Sequence, residues 1–110
     1  MLATGLRSVT GAPNFYYNAI TDVDEIYELI LAGDAKGYLM SGETAGYGSD
    51  SDFNECGIAM SHAYSLITAF SLESNGNTFD LIMFRNPWSV SYYQGAWNAN
   101  DHRWTDATVA

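Results

Sequence analysis

Two apolar runs, HAYSLITAFSL and TFDLIMF, flank the polar stretch ESNGN, and within it the pair Asn75-Gly76 restricts more than any other feature how this chain can fold. A type I′ turn needs positive φ at both central residues. Asparagine tolerates that and glycine adopts it freely, so Asn-Gly between apolar runs predicts an antiparallel hairpin. Its strands are expected near residues 62–72 and 79–85. His62 opens the first strand and Asn86 follows the second, so pairing through the turn brings both to the same end of the hairpin.

Upstream, TDVDEIYELILAG spaces Val23, Ile26, Tyr27, Ile30 and Leu31 along one helical face. Thr21 or Asp22 is the N-cap and Gly33 closes the helix, which is expected over residues 22–32. LRSVTGAPNFYYNA mixes β-branched and aromatic residues around Gly11, Ala12 and Pro13, so a short strand, a turn and an extended segment are expected there, and no helix. KGYLMSGE, residues 36–43, reads as a strand containing Gly37. The glycine- and acid-rich segment 44–57 reads as a long surface loop with little to pack. The tail SVSYYQGAWNANDHRWTDATVA has no clear period and reads as loops with room for a short last strand. The fold class is therefore α+β: a twisted antiparallel sheet or partial barrel with one main helix.

Composition bounds what such a domain can bind. Thirteen acidic residues against four basic ones give a net charge of −9, which repels phosphate backbones and anionic membranes. Neither nucleic acid nor a membrane is an expected partner. Apolar residues make up 47% of the chain, enough for a packed core, yet no run approaches the roughly 20 residues of a membrane span. MLATGLRSVTGAP lacks the basic region and apolar core of a secretory signal. The single cysteine, Cys56, forms no internal disulfide, which fits a reducing compartment and an intracellular, cytoplasmic location. At 110 residues the chain is one domain, short for a complete hydrolase with a cleft between two lobes, and it is expected to be a piece of a longer protein.

A histidine and an asparagine at neighbouring strand ends are two parts of a three-part catalytic device, in which the imidazole takes a proton from a thiol and the asparagine fixes the ring. HAYSL, a polar turn and LIMFRNPW together resemble the second half of a calpain-type cysteine protease core. In that family Gly-His-Ala-Tyr-Ser holds the catalytic histidine, and Arg-Asn-Pro-Trp-Gly holds the catalytic asparagine and a covering tryptophan. Pro87 separates the pattern from the Asn-Ser-Trp-Gly of papain-like relatives. YYQGAWNANDHRWTD resembles the family's continuation, with Gly95, Trp97, Asp101 and Trp104 in matching places. The resemblance is strongest over residues 57–104. It implies that residues 1–110 form the carboxy-terminal lobe of a calpain-like catalytic domain of papain-like type. His62 would be the catalytic histidine, Asn86 its orienting partner and Trp88 the lid, with Trp97 on the same cleft face. The implied reaction is peptide-bond hydrolysis by a cysteine endopeptidase acting on protein or peptide substrates. The partner is an amino-terminal lobe bearing the nucleophilic cysteine, and the chain alone is expected to be inactive. A non-catalytic calpain-like binding or regulatory module is the alternative. An asparagine before proline is held in extended geometry, and a tryptophan beside it excludes water from its hydrogen bond, so each role also has a direct physical reading.

Several positions depart from the pattern. Ser61 and Ser89 stand where the family has glycine, and both are small enough to be tolerated. No Gly-x-Cys-Trp segment occurs in residues 1–57. Cys56, six residues before His62, has neither a following tryptophan nor a helix start and reads as a structural thiol. Ser65 and Asp80 complete a Ser-His-Asp set in composition only, since Ser65 lies three residues past His62 and so on the opposite face. DSDFNECGIAMS begins like an EF-hand loop with Asp50, Asp52 and Asn54, but Glu55 replaces the glycine and Ser61 the last glutamate. The resemblance also implies calcium, through an acid six residues after Asn86. Tyr92 stands there and weakens that implication, so no metal ligand is assigned. A lobe without its partner is expected to expose aromatic surface, Trp88 included.

Overall fold

The structure is a computed structural model that describes residues 2–18, 22–88 and 90–109. In chain order its elements are α1 (Leu2–Thr10), α2 (Val23–Ala35), β1 (Met40–Glu43), β2 (Ala63–Ser74), β3 (Asn77–Arg85) and α3 (Asp106–Val109). The class is α+β, and the three strands form one antiparallel sheet in the order β1-β2-β3. That sheet is open and does not close into a barrel.

Asn75 and Gly76 take φ of 52° and 77°, as a type I′ turn requires, and Ser74 pairs with Asn77 across it. From there the register runs to Ser65 opposite Arg85, with one irregularity between Leu66 and Thr68. Ile67 is the extra residue of a β-bulge on β2. Without it Arg85 would stand opposite Leu66. The bulge therefore carries Asn86 one residue, about 3.3 Å, closer to His62.

The α2 helix starts where Asp22 Oδ1 accepts from the N–H groups of Asp24 and Glu25, at 3.1 and 3.0 Å, so Asp22 is the cap. Thr21, the other candidate, lies outside the described residues. The helix runs three residues beyond expectation because Gly33 is not its terminator. Gly33 is buried against β1, where a Cβ would stand 2.8 Å from Met40 Sδ. The stop is Gly37 at φ 70°, with Gly37 N–H donating to Asp34 C=O and Tyr38 N–H to Gly33 C=O, both at 2.9 Å. Gly37 thus ends a helix and is not part of a strand, and β1 begins at Met40. Thr68 Oγ1 donates to Asp34 Oδ2 at 2.6 Å and Tyr27 Oη meets Ser71 Oγ at 3.0 Å, which ties α2 to β2.

The expected strand near the amino terminus is instead α1. Gly11, at φ 70°, is its C-terminal cap, and its N–H donates to Arg7 C=O at 2.8 Å. Thr10 turns its hydroxyl back onto Leu6 C=O at 2.7 Å, one turn earlier in the helix. The tail forms the short α3 in place of a last strand. Segment 44–57 is a surface loop only over its first part. Ala45 to Glu55 are exposed, after which Cys56, Gly57 and Ile58 become half-buried and Ala59 is buried at the end of the sheet. Among the described residues the buried apolar side chains are Ile30, Ala59 and Ala69. No helix among them is long and apolar enough to cross a membrane.

Candidate active site

His62 stands one residue before β2 and is 8% exposed. Thr44, one residue past β1, holds its main chain: Thr44 N–H donates to His62 C=O at 2.9 Å, and His62 N–H donates to Thr44 Oγ1 at 3.0 Å. Asn86 follows β3 directly. Its Oδ1 accepts from Trp88 N–H at 3.0 Å and lies 3.0 Å from His62 Nε2. A backbone N–H can only donate, so the amide atom facing it is the oxygen. The same oxygen faces Nε2, which must therefore carry the proton of the neutral imidazole, leaving the lone pair on Nδ1.

Aromatic rings enclose this pair. The Trp88 ring centre is 4.3 Å from that of His62 at an interplanar angle of 40°, and Tyr64 stands edge-on to the imidazole at 4.9 Å. Phe53 continues the line, 6.2 Å from Trp88 and 5.0 Å from Tyr92. Shielding from water strengthens a polar contact of this kind. Trp88 is half-buried, with Phe53 of segment 53–60 beside it. Gly57 makes that packing possible. At φ 77° it lies so close to Tyr92 that a Cβ would be 1.9 Å from the carbonyl oxygen, and Gln94 N–H donates to Cys56 C=O at 2.8 Å beside it. An open depression of about 440 Å³ adjoins His62, lined by residues 43–46 and 61–63.

The remaining candidates fall elsewhere. Cys56 works through its backbone, its N–H donating to Asn54 Oδ1 at 2.9 Å. Ser65 is an exposed mid-sheet residue opposite Arg85, and Asp80 pairs with Ser71 far along β2, so no Ser-His-Asp set is assembled. Trp97, expected beside His62, stands at the turn end of the hairpin, 5.3 Å from Phe79 and 4.9 Å from Trp104. The cause is the Asp101–Arg103 pair. Asp101 Oδ2 accepts from Trp97 N–H at 2.6 Å, and the Arg103 guanidinium lies 4.5 Å from the Trp97 ring. The Asp101 side chain is 7% exposed. Its carboxyl is held well below the usual carboxylate range, first by the Arg103 side chain and then by the N–H groups of Arg103 and Trp97. Arg103 is correspondingly pushed up by the same hydrogen bond. Ser89 lies outside the described residues. Ser61 takes φ 47°, a left-handed conformation, which is the physical reason a glycine suits the position before the histidine. Sequence reasoning missed Thr44 and Phe53. Only the strand register and the loop path bring them to the site.

Comparison with known proteins gives a consistent result. Residues 1–109 match the sequence profile of the calpain family cysteine proteases. The chain is 27% identical over 105 residues to the calpain-1 catalytic subunit of Homo sapiens, covering 93% of this chain and 15% of that protein. It is 46% identical over 43 residues to the calpain-2 catalytic subunit of Homo sapiens, covering 39% of this chain and 6% of that protein. With the calpain-1 catalytic subunit of Rattus norvegicus it shares 26% identity over 98 residues, 86% of this chain and 14% of that protein. The chain thus spans at most 15% of the length of these relatives.

Proposed function

Because this chain belongs to the calpain family of cysteine proteases, we propose that it is the carboxy-terminal lobe of a calpain-like catalytic domain and supplies the histidine and asparagine of peptide-bond hydrolysis. The supporting observation is the 3.0 Å contact between His62 Nε2 and Asn86 Oδ1 under the Trp88 ring. In this reading a cysteine of the amino-terminal lobe attacks the scissile carbonyl. Nδ1 of His62 takes the thiol proton and returns it to the leaving amine, water then hydrolyses the acyl-enzyme, and Asn86 holds the ring throughout. Substrates are proteins or peptides, the amino-terminal lobe is the obligatory partner, and the cytoplasm is the location.

This reading assigns calcium no step. Tyr92, six residues after Asn86, offers a phenol and packs against Phe53 instead. Asp101 accepts four hydrogen bonds from Arg103 and Trp97, which fills its oxygens. No three His, Cys, Asp or Glu side chains gather among the described residues. This donor set does not suit a cation that takes six to eight oxygens.

The test is hydrolysis of a fluorogenic casein by the chain alone, by a calpain amino-terminal lobe alone and by the two together. Only the mixture should cleave, and His62→Ala should abolish cleavage. A folded, associated mixture that cleaves nothing makes the non-catalytic module the better reading. Activity of the chain alone that Cys56→Ala removes would overturn the two-lobe reading.

A further inference from the structure

Thr44 lies opposite His62 in the continuation of the β1–β2 ladder, whose last registered pair is Glu43 with Ala63. A regular ladder would join two such residues by backbone bonds alone. Here one bond is of that kind, Thr44 N–H to His62 C=O, while the return bond from His62 N–H goes to the Thr44 hydroxyl. That hydroxyl donates its proton to Ala59 C=O at 2.7 Å. Ala59 is 1% exposed, and its own N–H donates to Tyr64 Oη at 3.1 Å, the residue whose ring stands edge-on to the imidazole. One hydroxyl therefore joins the end of β1, the loop and the start of β2. Ser61 explains why such a joint is needed. Its left-handed φ of 47° means that the backbone entering His62 is held against its own preference.

We propose that Thr44 is a positioning residue for the His62 imidazole: its hydroxyl, held between His62 N–H and Ala59 C=O, keeps the ring within reach of Asn86. This rests on the His62–Asn86 reading above. It does not depend on which lobe supplies a nucleophile, and it can be tested on the chain alone.

Nuclear magnetic resonance of the chain labelled at histidine nitrogen reads water exchange of the His62 Nε2 proton, with the amide of Ala69, buried in mid-strand, as the internal reference. Thr44→Val keeps the volume and β-branch but removes the hydroxyl. It should accelerate Nε2 exchange at least about tenfold relative to the Ala69 amide, and Thr44→Ser should restore it to within about twofold, as expected for a local opening. Equal acceleration of both protons would mean that Thr44 only stabilises the fold, and no acceleration would mean that it holds nothing; either result overturns the proposal. If Thr44→Val does not fold, Thr44→Cys, a weaker hydrogen-bonding group, takes its place, and a Cys variant that behaves like Ser is then the overturning result. Asn86→Ala separates the two readings. It must accelerate Nε2 exchange if the His62–Asn86 bond exists, and failure there sinks that bond whatever Thr44→Val does. An Nε2 proton too labile to observe in the unaltered chain counts against both.

Discussion

Asn86 Oδ1 serves two donors at once, the imidazole and the Trp88 amide, so its loss has two separable consequences. If His62 and Asn86 act as proposed, Asn86→Ala in the reconstituted two-lobed protein should lower kcat by about 10²-fold with KM little changed, since the base would remain but no longer be oriented. Stability should fall by about 1 kcal/mol, because the Trp88 N–H loses its partner. Steady-state kinetics and denaturant unfolding of the same variant read the two effects. A kcat within twofold of the unaltered enzyme would remove Asn86 from the mechanism.

The loops around the sheet are built on contacts rather than on regular structure. Segment 53–60 reaches the site only because Gly57 has no Cβ where the Tyr92 carbonyl passes. Gly57→Ala should therefore cost about 1–3 kcal/mol through both the clash and the positive φ. It should also expose Trp88 to quenching, a paired loss that fluorescence of the variant detects. The turn of residues 97–104 depends instead on charge. Asp101 ionises more readily folded than unfolded, so its contribution is complete above the unfolded carboxylate pKa, near pH 4, and drains away as pH falls below it toward the depressed folded value. The gap in unfolding midpoint between the unaltered chain and Asp101→Asn should be constant from about pH 5 to 7 and close below about pH 4. A gap independent of pH down to pH 2 would show that the carboxylate charge is irrelevant.

Taken as a single body, the chain exposes 8220 Å², whereas a self-contained monomer of its mass exposes about 6,000 Å². Its Cα radius of gyration is 15.1 Å against about 13 Å for a compact domain of this length. The excess includes β3, an edge strand whose Ile82, Met83 and Phe84 are 39%, 45% and 47% exposed. An apolar edge of that kind pairs with other chains when nothing covers it. The isolated chain should therefore associate as its concentration rises despite its charge of −9, and Met83→Lys should weaken that association in sedimentation equilibrium. Monomeric behaviour at every concentration with a sharp thermal transition would mean that the exposed surface is tolerated.

Asn75-Gly76 was enough to place the hairpin, and the hairpin was enough to bring His62 and Asn86 to one end, because turn chemistry and strand pairing are local rules that one stretch of chain obeys alone. The N-cap was legible to within one residue, Thr21 or Asp22, for the same reason. Four features were not. Gly11 and Gly37 read as turn and strand residues, since a glycine at positive φ looks alike in sequence whether it bends a loop or ends a helix. The bulge at Ile67 leaves no mark in an apolar run, yet it sets the last step of register that aligns Asn86 with His62. Thr44 and Phe53 carry no motif at all, and Trp97 sits far from where its family position suggested because Asp101 and Arg103 hold it against Phe79. These are contacts between segments distant in sequence, so their geometry exists only once the sheet register and the loop packing have brought those segments together.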